Sequence, residues 1–356
     1  MSEAIKLNPD FWVGKRVLLT GHTGFKGAWL NQWLRILGAD VVGFSLPSAT
    51  EPNLHGLLGH DDAHSRIGDL RDPATITKVV REHNPQLVLH LAAQALVRRS
   101  YRDPLESFAT NVMGTANLLE ALRPCDALES VLVVTSDKAY ENDDRGIPFC
   151  EGDALGGKDP YSASKGCQEI VTHSFARSYF GEKGVAVATA RAGNVIGGGD
   201  WSEDRLMTDL INGFYKAQDI VLRNPLATRP WQHVLEPLGG YLLFAQALAT
   251  KEIVNIPALN FGPHGSDSVQ SVVEKMLALW GGDHKWHLDG AEQPKEAHAL
   301  ALDVTLAREA LGWHPRLDLS ETLQWIVSWH KKHAMGECVK QITCSQIENF
   351  QTLLAK

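Results

Sequence analysis

Lys15-Arg16-Val17-Leu18-Leu19-Thr20 runs directly into Gly21-His22-Thr23-Gly24-Phe25-Lys26-Gly27, and this stretch decides the fold. Val17 to Leu19 are apolar at consecutive positions rather than alternating, which predicts a short strand buried on both faces. A helical stretch follows from Ala28 to Leu37, ending at Gly38, a residue suited to the left-handed position after a helix. Between strand and helix the glycines are spaced GxxGxxG. In that context the first glycine permits a tight turn, the second lets backbone approach a pyrophosphate, and the third packs helix against strand. The unpaired N–H groups at the helix start then attract the anion. Gly21, His22, Thr23, Gly24, Phe25, Lys26 and Gly27 are therefore candidate cofactor-binding residues.

Working outward, Val41 to Phe44, Ile67, Gln86 to Leu91, Val131 to Thr135 and Val185 to Ala190 read as further short apolar strands. Helical stretches separate several of them: 73–82, opened by Asp72-Pro73, then 107–122 and 161–180. Strands alternating with helices indicate a parallel sheet covered on both faces. The fold class expected is α/β, a doubly wound parallel sheet of the Rossmann type with a smaller, mixed C-terminal substrate region. Residues 1–190 form the dinucleotide-binding domain in this reading, joined by 231–258. Residues 191–230 and 259–356 form the substrate region, because glycine and proline become dense after Arg191 and Trp231 to Leu248 is helical again. No acidic residue ends the second strand, where Phe44-Ser45-Leu46 stands; Asp40 precedes it as a loop residue. Asp69, in Gly68-Asp69-Leu70, is the candidate to meet the adenine.

The formal charge is −8, from 34 Lys and Arg against 42 Asp and Glu, which argues against general nucleic-acid binding. A charged substrate then needs a local basic site. Five cysteines without a CxxC pair read as free thiols of a reducing compartment. The segment MSEAIKLNPDFW lacks the apolar core of a secretory signal, and no run approaches the roughly 18 apolar residues of a membrane helix. A cytoplasmic protein without a membrane partner is expected. His284, His287 and His298 are scattered, and no metal site is assigned.

Tyr161-Ser162-Ala163-Ser164-Lys165 is YxxxK on a helix, where residues four apart share a face. A lysine ammonium beside a phenol favours the phenolate and makes Tyr161 a usable base. The preceding strand ends in Thr135-Ser136-Asp137-Lys138, at the strand C-terminus where ligands meet an open parallel sheet. Ser136 is placed to hold the hydroxyl that Tyr161 deprotonates, and Asp137 and Lys138 add an acid and a base. Ser136, Asp137, Lys138, Tyr161 and Lys165 are the candidate catalytic residues.

Together Gly21 to Gly27, His90-Leu91-Ala92-Ala93, Asn111, Ser136 and YxxxK resemble the extended short-chain dehydrogenases that act on nucleotide sugars. GHTGFKG at 21–27, TSDKAYEN at 135–142, RAGNVIGGGDW at 191–201 and RPWQHV at 229–234 look like the CDP-glucose 4,6-dehydratase family within that group. Lys138 stands where the dTDP-glucose and GDP-mannose dehydratases carry glutamate, and the simple epimerases lack such an acid/base pair. The resemblance implies NAD as a retained cofactor and CDP-glucose as substrate, with CDP-4-keto-6-deoxy-glucose and water as products. It adds Leu70, Leu91, Ala92, Ala93 and Asn111 to the cofactor site, beside Tyr161 and Lys165. It places Gln94, Ser136, Asn194, Arg205 and Arg229 at the substrate, the arginines on the diphosphate. Which of Asp137 and Lys138 is acid and which is base stays open. A homodimer through helices 107–122 and 161–180, or a tetramer, is implied too, as is a role in deoxysugar and O-antigen synthesis. Trp231 and the C-terminal tryptophans are expected in the core.

Overall fold

The computed structural model describes residues 4–60, 62–144, 146–289 and 300–356. Seven strands form one parallel sheet: β1 (Arg16–Thr20), β2 (Asp40–Ser45), β3 (Ser65–Ile67), β4 (Leu87–His90), β5 (Ser130–Val134), β6 (Ala186–Ala192) and β7 (Ala258–Phe261). Their spatial order is β7-β6-β5-β4-β1-β2-β3. The order reverses between β1 and β4, paired in register with Thr20 opposite His90. A crevice opens beyond the strand C-termini at such a reversal, and the glycine loop leaves β1 there. Asp40, read above as a loop residue, is the exposed first residue of β2, opposite Arg16.

Helices cover both faces. α1 (Phe25–Ile36) follows the loop, and Gly38 behind it has φ +81°. α2 (Pro73–His83) starts with proline and is capped by the Asp72 carboxylate, which accepts from the Ala74 N–H at 3.0 Å. The stretch Pro104–Phe108 passes through a π-helical turn, Ala109–Met113, into α3 (Gly114–Leu122). α4 (Pro160–Phe175) carries the YxxxK residues and ends in a second π-helical turn, Ala176–Phe180. On one face Leu18, Val88, Leu118 and Val131 form the core; on the other Trp29, Trp33, Leu89 and Leu132 pack with Leu238 and Phe261.

The chain beyond Arg191 divides its packing. α5 (Leu206–Lys216) and α7 (Val269–Trp280) share an apolar cluster with Trp231 and the pair Ile220–Leu222 and Trp286–Leu288. α6 (Leu235–Thr250) lies on the main sheet and is buried around nearly its whole circumference. The stretch 259–356, grouped above with the substrate region, is shared between the two cores. β7, which falls in this stretch from Leu259 on, belongs wholly to the main sheet. α8 (Leu319–Ala334) turns Leu323 and Ile326 to the smaller cluster and Trp329 to the larger. α9 (Val339–Leu354) lies against α1, with the Phe350 and Trp33 rings 5.8 Å apart edge to face. The physical reason is the apolar outer face of α1 and α6, which these C-terminal residues remove from water. Trp313 and Trp329 are fully buried, and Trp231 is buried with its Nε1–H on the Asp267 carbonyl at 3.0 Å.

Candidate active site

The glycine loop is shaped by contacts that side chains would block. Gly21 has φ +78°, and a Cβ there would stand 2.7 Å from the Ala92 nitrogen; one on Gly27 would stand 2.0 Å from the Gly21 carbonyl oxygen. Gly24 caps α1 with no side-chain acceptor, so the first N–H groups of a twelve-residue helix face the crevice uncapped. This cradle fits a pyrophosphate. His22 points away from it: Nε2 is 2.7 Å from the Ser65 hydroxyl. Thr23 ties the loop to the end of β2, with Oγ1 2.8 Å from the Ser45 hydroxyl and donating to the Leu46 carbonyl at 2.9 Å. Phe25 is half-buried, and the Lys26 ammonium donates to the Tyr241 hydroxyl at 3.2 Å.

Among the outlying cofactor candidates, Asp69 is held by Arg71, whose Nη2 lies 2.6 Å from the carboxylate. That hydrogen bond keeps the carboxyl below its usual range. Leu70 is buried and its carbonyl accepts from Asn117 at 2.8 Å. Leu91 and Ala92 close the loop from the β4 side, donating to the Thr20 carbonyl at 3.1 Å and the Thr20 hydroxyl at 3.2 Å. Ala93 follows, half-buried. Asn111 sits in the first π-helical turn and joins that loop to α4. Its Nδ2 donates to the Gln94 carbonyl at 3.1 Å and to Ser164 at 2.8 Å. Gln94, read as a substrate ligand, has its amide engaged within the chain: it accepts from Leu96 N–H at 2.6 Å and donates to Ser107 at 2.8 Å.

At the end of β5, Ser136 donates to the Asp137 carboxylate at 2.9 Å, accepts from the Lys138 N–H at 3.2 Å and is hydrogen-bonded with the Tyr161 phenol. Asp137 is 1 % exposed. Burial pushes its carboxyl above the usual range, against the pull of Lys138, Ser136 and Arg229. Its Oδ2 has no hydrogen-bond partner among the described residues, and a Cβ on Gly193 would stand 1.7 Å from it. The site therefore requires glycine at 193. Lys138 lies beside it, half-buried.

The relation of Tyr161 to Lys165 differs from the sequence expectation. Both share one face of α4, but the Lys165 ammonium donates to Gln168 at 2.8 Å and to the Val134 carbonyl at 3.3 Å. Burial raises the Tyr161 phenol above its ordinary value; the Ser136 hydrogen bond and the Arg205 charge pull the other way. Lys165 is itself pushed down to about 7, first by burial and then by the charge of Lys26. Arg205 ends the loop before α5, with Nη2 3.5 Å from the Ala95 carbonyl and a buried Nε that has no hydrogen-bond partner among the described residues. Arg229 is buried, donates to the Thr228 carbonyl at 2.8 Å and acts electrostatically on Asp137. Asn194 adopts φ +44°, and its carbonyl accepts from the Gln232 N–H at 3.3 Å.

Two supporting networks escaped the sequence reading. Glu169 pairs with Arg191 at 2.8 Å, both buried, and also takes the Thr135 and Thr189 hydroxyls; Arg191 reaches Tyr140 at 2.7 Å. A second chain joins Thr20, His90, Thr115, Gln168 and Lys165, linking the strand before the glycine loop to the YxxxK helix. Gln168 and Glu169 stand three and four positions past Lys165, and that spacing was the available signal. Among the described residues no group of His, Cys, Asp and Glu is arranged to hold a metal. His298 lies outside the described residues.

The family model of GDP-mannose 4,6-dehydratase matches residues 18–326. The CDP-glucose 4,6-dehydratase of Salmonella typhimurium is 47% identical over 350 residues, covering 96% of this chain and 97% of the relative. The chain belongs to the nucleotide-sugar dehydratase family of the extended short-chain dehydrogenases. Its fold is that of the family's solved members. The dTDP-glucose 4,6-dehydratase of Bacillus anthracis in complex with NAD superposes with a TM-score of 0.74 at 20% identity, over 90% of this chain and 97% of that one. MoeE5 in complex with UDP-glucuronic acid and NAD gives 0.75 at 26% identity, over 90% and 100%.

Proposed function

We propose that this protein dehydrates CDP-glucose to CDP-4-keto-6-deoxy-glucose with a tightly held NAD. The observation that carries the reading is the 47% identity along nearly the whole chain to a CDP-glucose 4,6-dehydratase, joined to an acid/base pair, Asp137-Lys138, beside Ser136 and Tyr161. The glycine cradle at the N-terminus of α1 fits the cofactor's pyrophosphate. When bound, NAD supplies the hydride acceptor, and its cationic ring favours the Tyr161 phenolate.

Each residue then has one task. Ser136 holds the sugar O4 hydroxyl and Tyr161 accepts its proton while C4 is oxidised. The ketone acidifies C5–H. Lys138 removes that proton, and Asp137, whose carboxyl burial shifts towards the protonated form, donates to the C6 hydroxyl so that water leaves. With the hydride restored at C6, Lys138 would give its proton back to C5, and the O4 proton on Tyr161 would pass through Ser136 to Asp137, resetting both groups. With the cofactor bound, Lys165 would add its charge to that of the ring in favour of the phenolate. Arg205 and Arg229 bring positive charge to the mouth of the site, where the diphosphate of the substrate needs it. Asp69, Leu70, Leu91, Ala92, Ala93 and Asn111 shape the cofactor side, and Gln94 orients the loop from which it meets the sugar. The enzyme acts as a cytoplasmic homodimer in deoxysugar synthesis for surface polysaccharide. Among the described residues no helix is long and apolar enough to cross a membrane. Turnover in deuterium oxide tests the chemistry: the product should lose one water and carry one deuterium at C5. Product without deuterium there would remove the C5 proton-transfer step.

A further inference from the structure

Lys26 stands where the surrounding loop calls only for backbone. It lies in the first turn of α1, and its ammonium donates to the buried Tyr241 hydroxyl at 3.2 Å, 5.4 Å from that ring's centroid. From there its charge is felt by Lys165 on α4 and feels Asp137 after β5 and Arg205 before α5. Lys26 thus belongs to the pyrophosphate cradle and stands within electrostatic reach of Lys165, Asp137 and Arg205. A dinucleotide that spans from the cradle to the Tyr161–Lys165 pair passes this ammonium.

We propose that Lys26 sets the redox bias of the bound nicotinamide, favouring the reduced, neutral ring over the oxidised, cationic one. The proposal rests on the dehydratase reading. In its first step the sugar C4–H gives a hydride to the oxidised cofactor and the O4 proton goes to Tyr161, so the ring changes from positive to neutral. A fixed positive charge beside the ring opposes the oxidised form and helps that step. It also keeps the reduced cofactor bound while water is eliminated, before the hydride returns to C6. The ammonium is suited to this task. Burial, assisted by the Arg205 charge, pushes it down to about 8, so it remains largely charged at neutral pH. A role confined to holding pyrophosphate makes a different prediction, since both forms of the cofactor carry the same phosphates.

The test is the ratio of dissociation constants for NAD⁺ and NADH, measured on full-length protein freed of nucleotide, by the fluorescence of bound NADH and its displacement by NAD⁺. A unit charge within about 10 Å at the effective dielectric of a protein changes such a ratio by about tenfold. Lys26→Met should reduce the preference for NADH by about that factor, and Lys26→Arg should retain it. Lys26→Gln, which keeps a donor for Tyr241 without the charge, gives the same reading if the methionine variant does not fold. Equal weakening of both forms would overturn the proposal and leave Lys26 as a phosphate ligand, and an unchanged ratio would overturn it as well. Neither binding measurement needs turnover, so a failure here is distinct from a failure of the substrate assignment.

Discussion

Replacing Gly193 with alanine should disable the acid while leaving Asp137 itself in the sequence. A Cβ at this position would lie 1.7 Å from Asp137 Oδ2 and 2.1 Å from Cγ, whereas ordinary contact begins at 3.4 Å. The carboxyl group must therefore retreat by about 3.4 − 1.7 = 1.7 Å, or the backbone after β6 must give by a similar distance. Asp137 is short, buried and tied to Ser136 at 2.9 Å, so its retreat also disturbs the hydroxyl that orients the substrate. Displacement by about 1 Å costs a catalytic group roughly 10²-fold in rate. Overpacking costs about 1–3 kcal/mol of stability, which leaves the chain folded. Gly193→Ala should thus dehydrate CDP-glucose about a hundredfold more slowly, with cofactor binding retained. The assay follows product by mass and reduced cofactor by its near-ultraviolet absorbance in a single turnover. Wild-type kcat in a folded Gly193→Ala variant would refute the placement of Asp137 in the elimination step.

Three further outcomes follow from the same packing and charges. Tyr161→Phe should abolish cofactor reduction by substrate while leaving cofactor affinity nearly unchanged; normal turnover would contradict the base assignment. Glu169→Gln leaves Arg191 buried without its carboxylate partner and should destabilise the protein by about 3 kcal/mol in urea unfolding. A loss below about 1 kcal/mol would show that the pair is replaceable. Glu236, at the start of α6, is pushed up to about 7 by burial although it accepts from the Arg316 and Leu317 N–H groups. Its folded form holds a proton that the unfolded chain releases above about 4.5. Stability from this group is therefore full below that value and falls as pH rises towards 7. Melting curves of the wild type and Glu236→Gln should diverge across that interval, and parallel profiles would overturn the assignment.

The fold was legible because its strands are short, doubly buried apolar runs and its first turn carries glycines where backbone meets backbone. The strand order's reversal beside β1 follows from that connectivity. Ser136, Asp137 and Tyr161 were legible for the same reason, since a strand C-terminus and a helix face bring them together. Other features depend on long-range packing that no local pattern encodes. α9 covers α1 from the far end of the sequence, so the C-terminal stretch reads as part of a substrate region until Phe350 is seen against Trp33. The phenol of Tyr161 was expected to be lowered by Lys165 together with the nicotinamide ring; burial of the phenol raises it, and the hold of Gln168 on the ammonium lies outside any local pattern. Lys26 was legible only as one of the cofactor-binding loop residues, because its partner, Tyr241, is 215 residues away.

Purified protein should be incubated separately with CDP-glucose, dTDP-glucose and GDP-mannose, with and without added NAD, and the sugar nucleotide weighed by mass spectrometry. The account predicts loss of one water from CDP-glucose alone, with activity in the absence of added NAD from cofactor retained through purification. No loss of water from any of the three, with NAD bound, would contradict it; conversion of CDP-glucose to an isomer of unchanged mass would make the protein an epimerase.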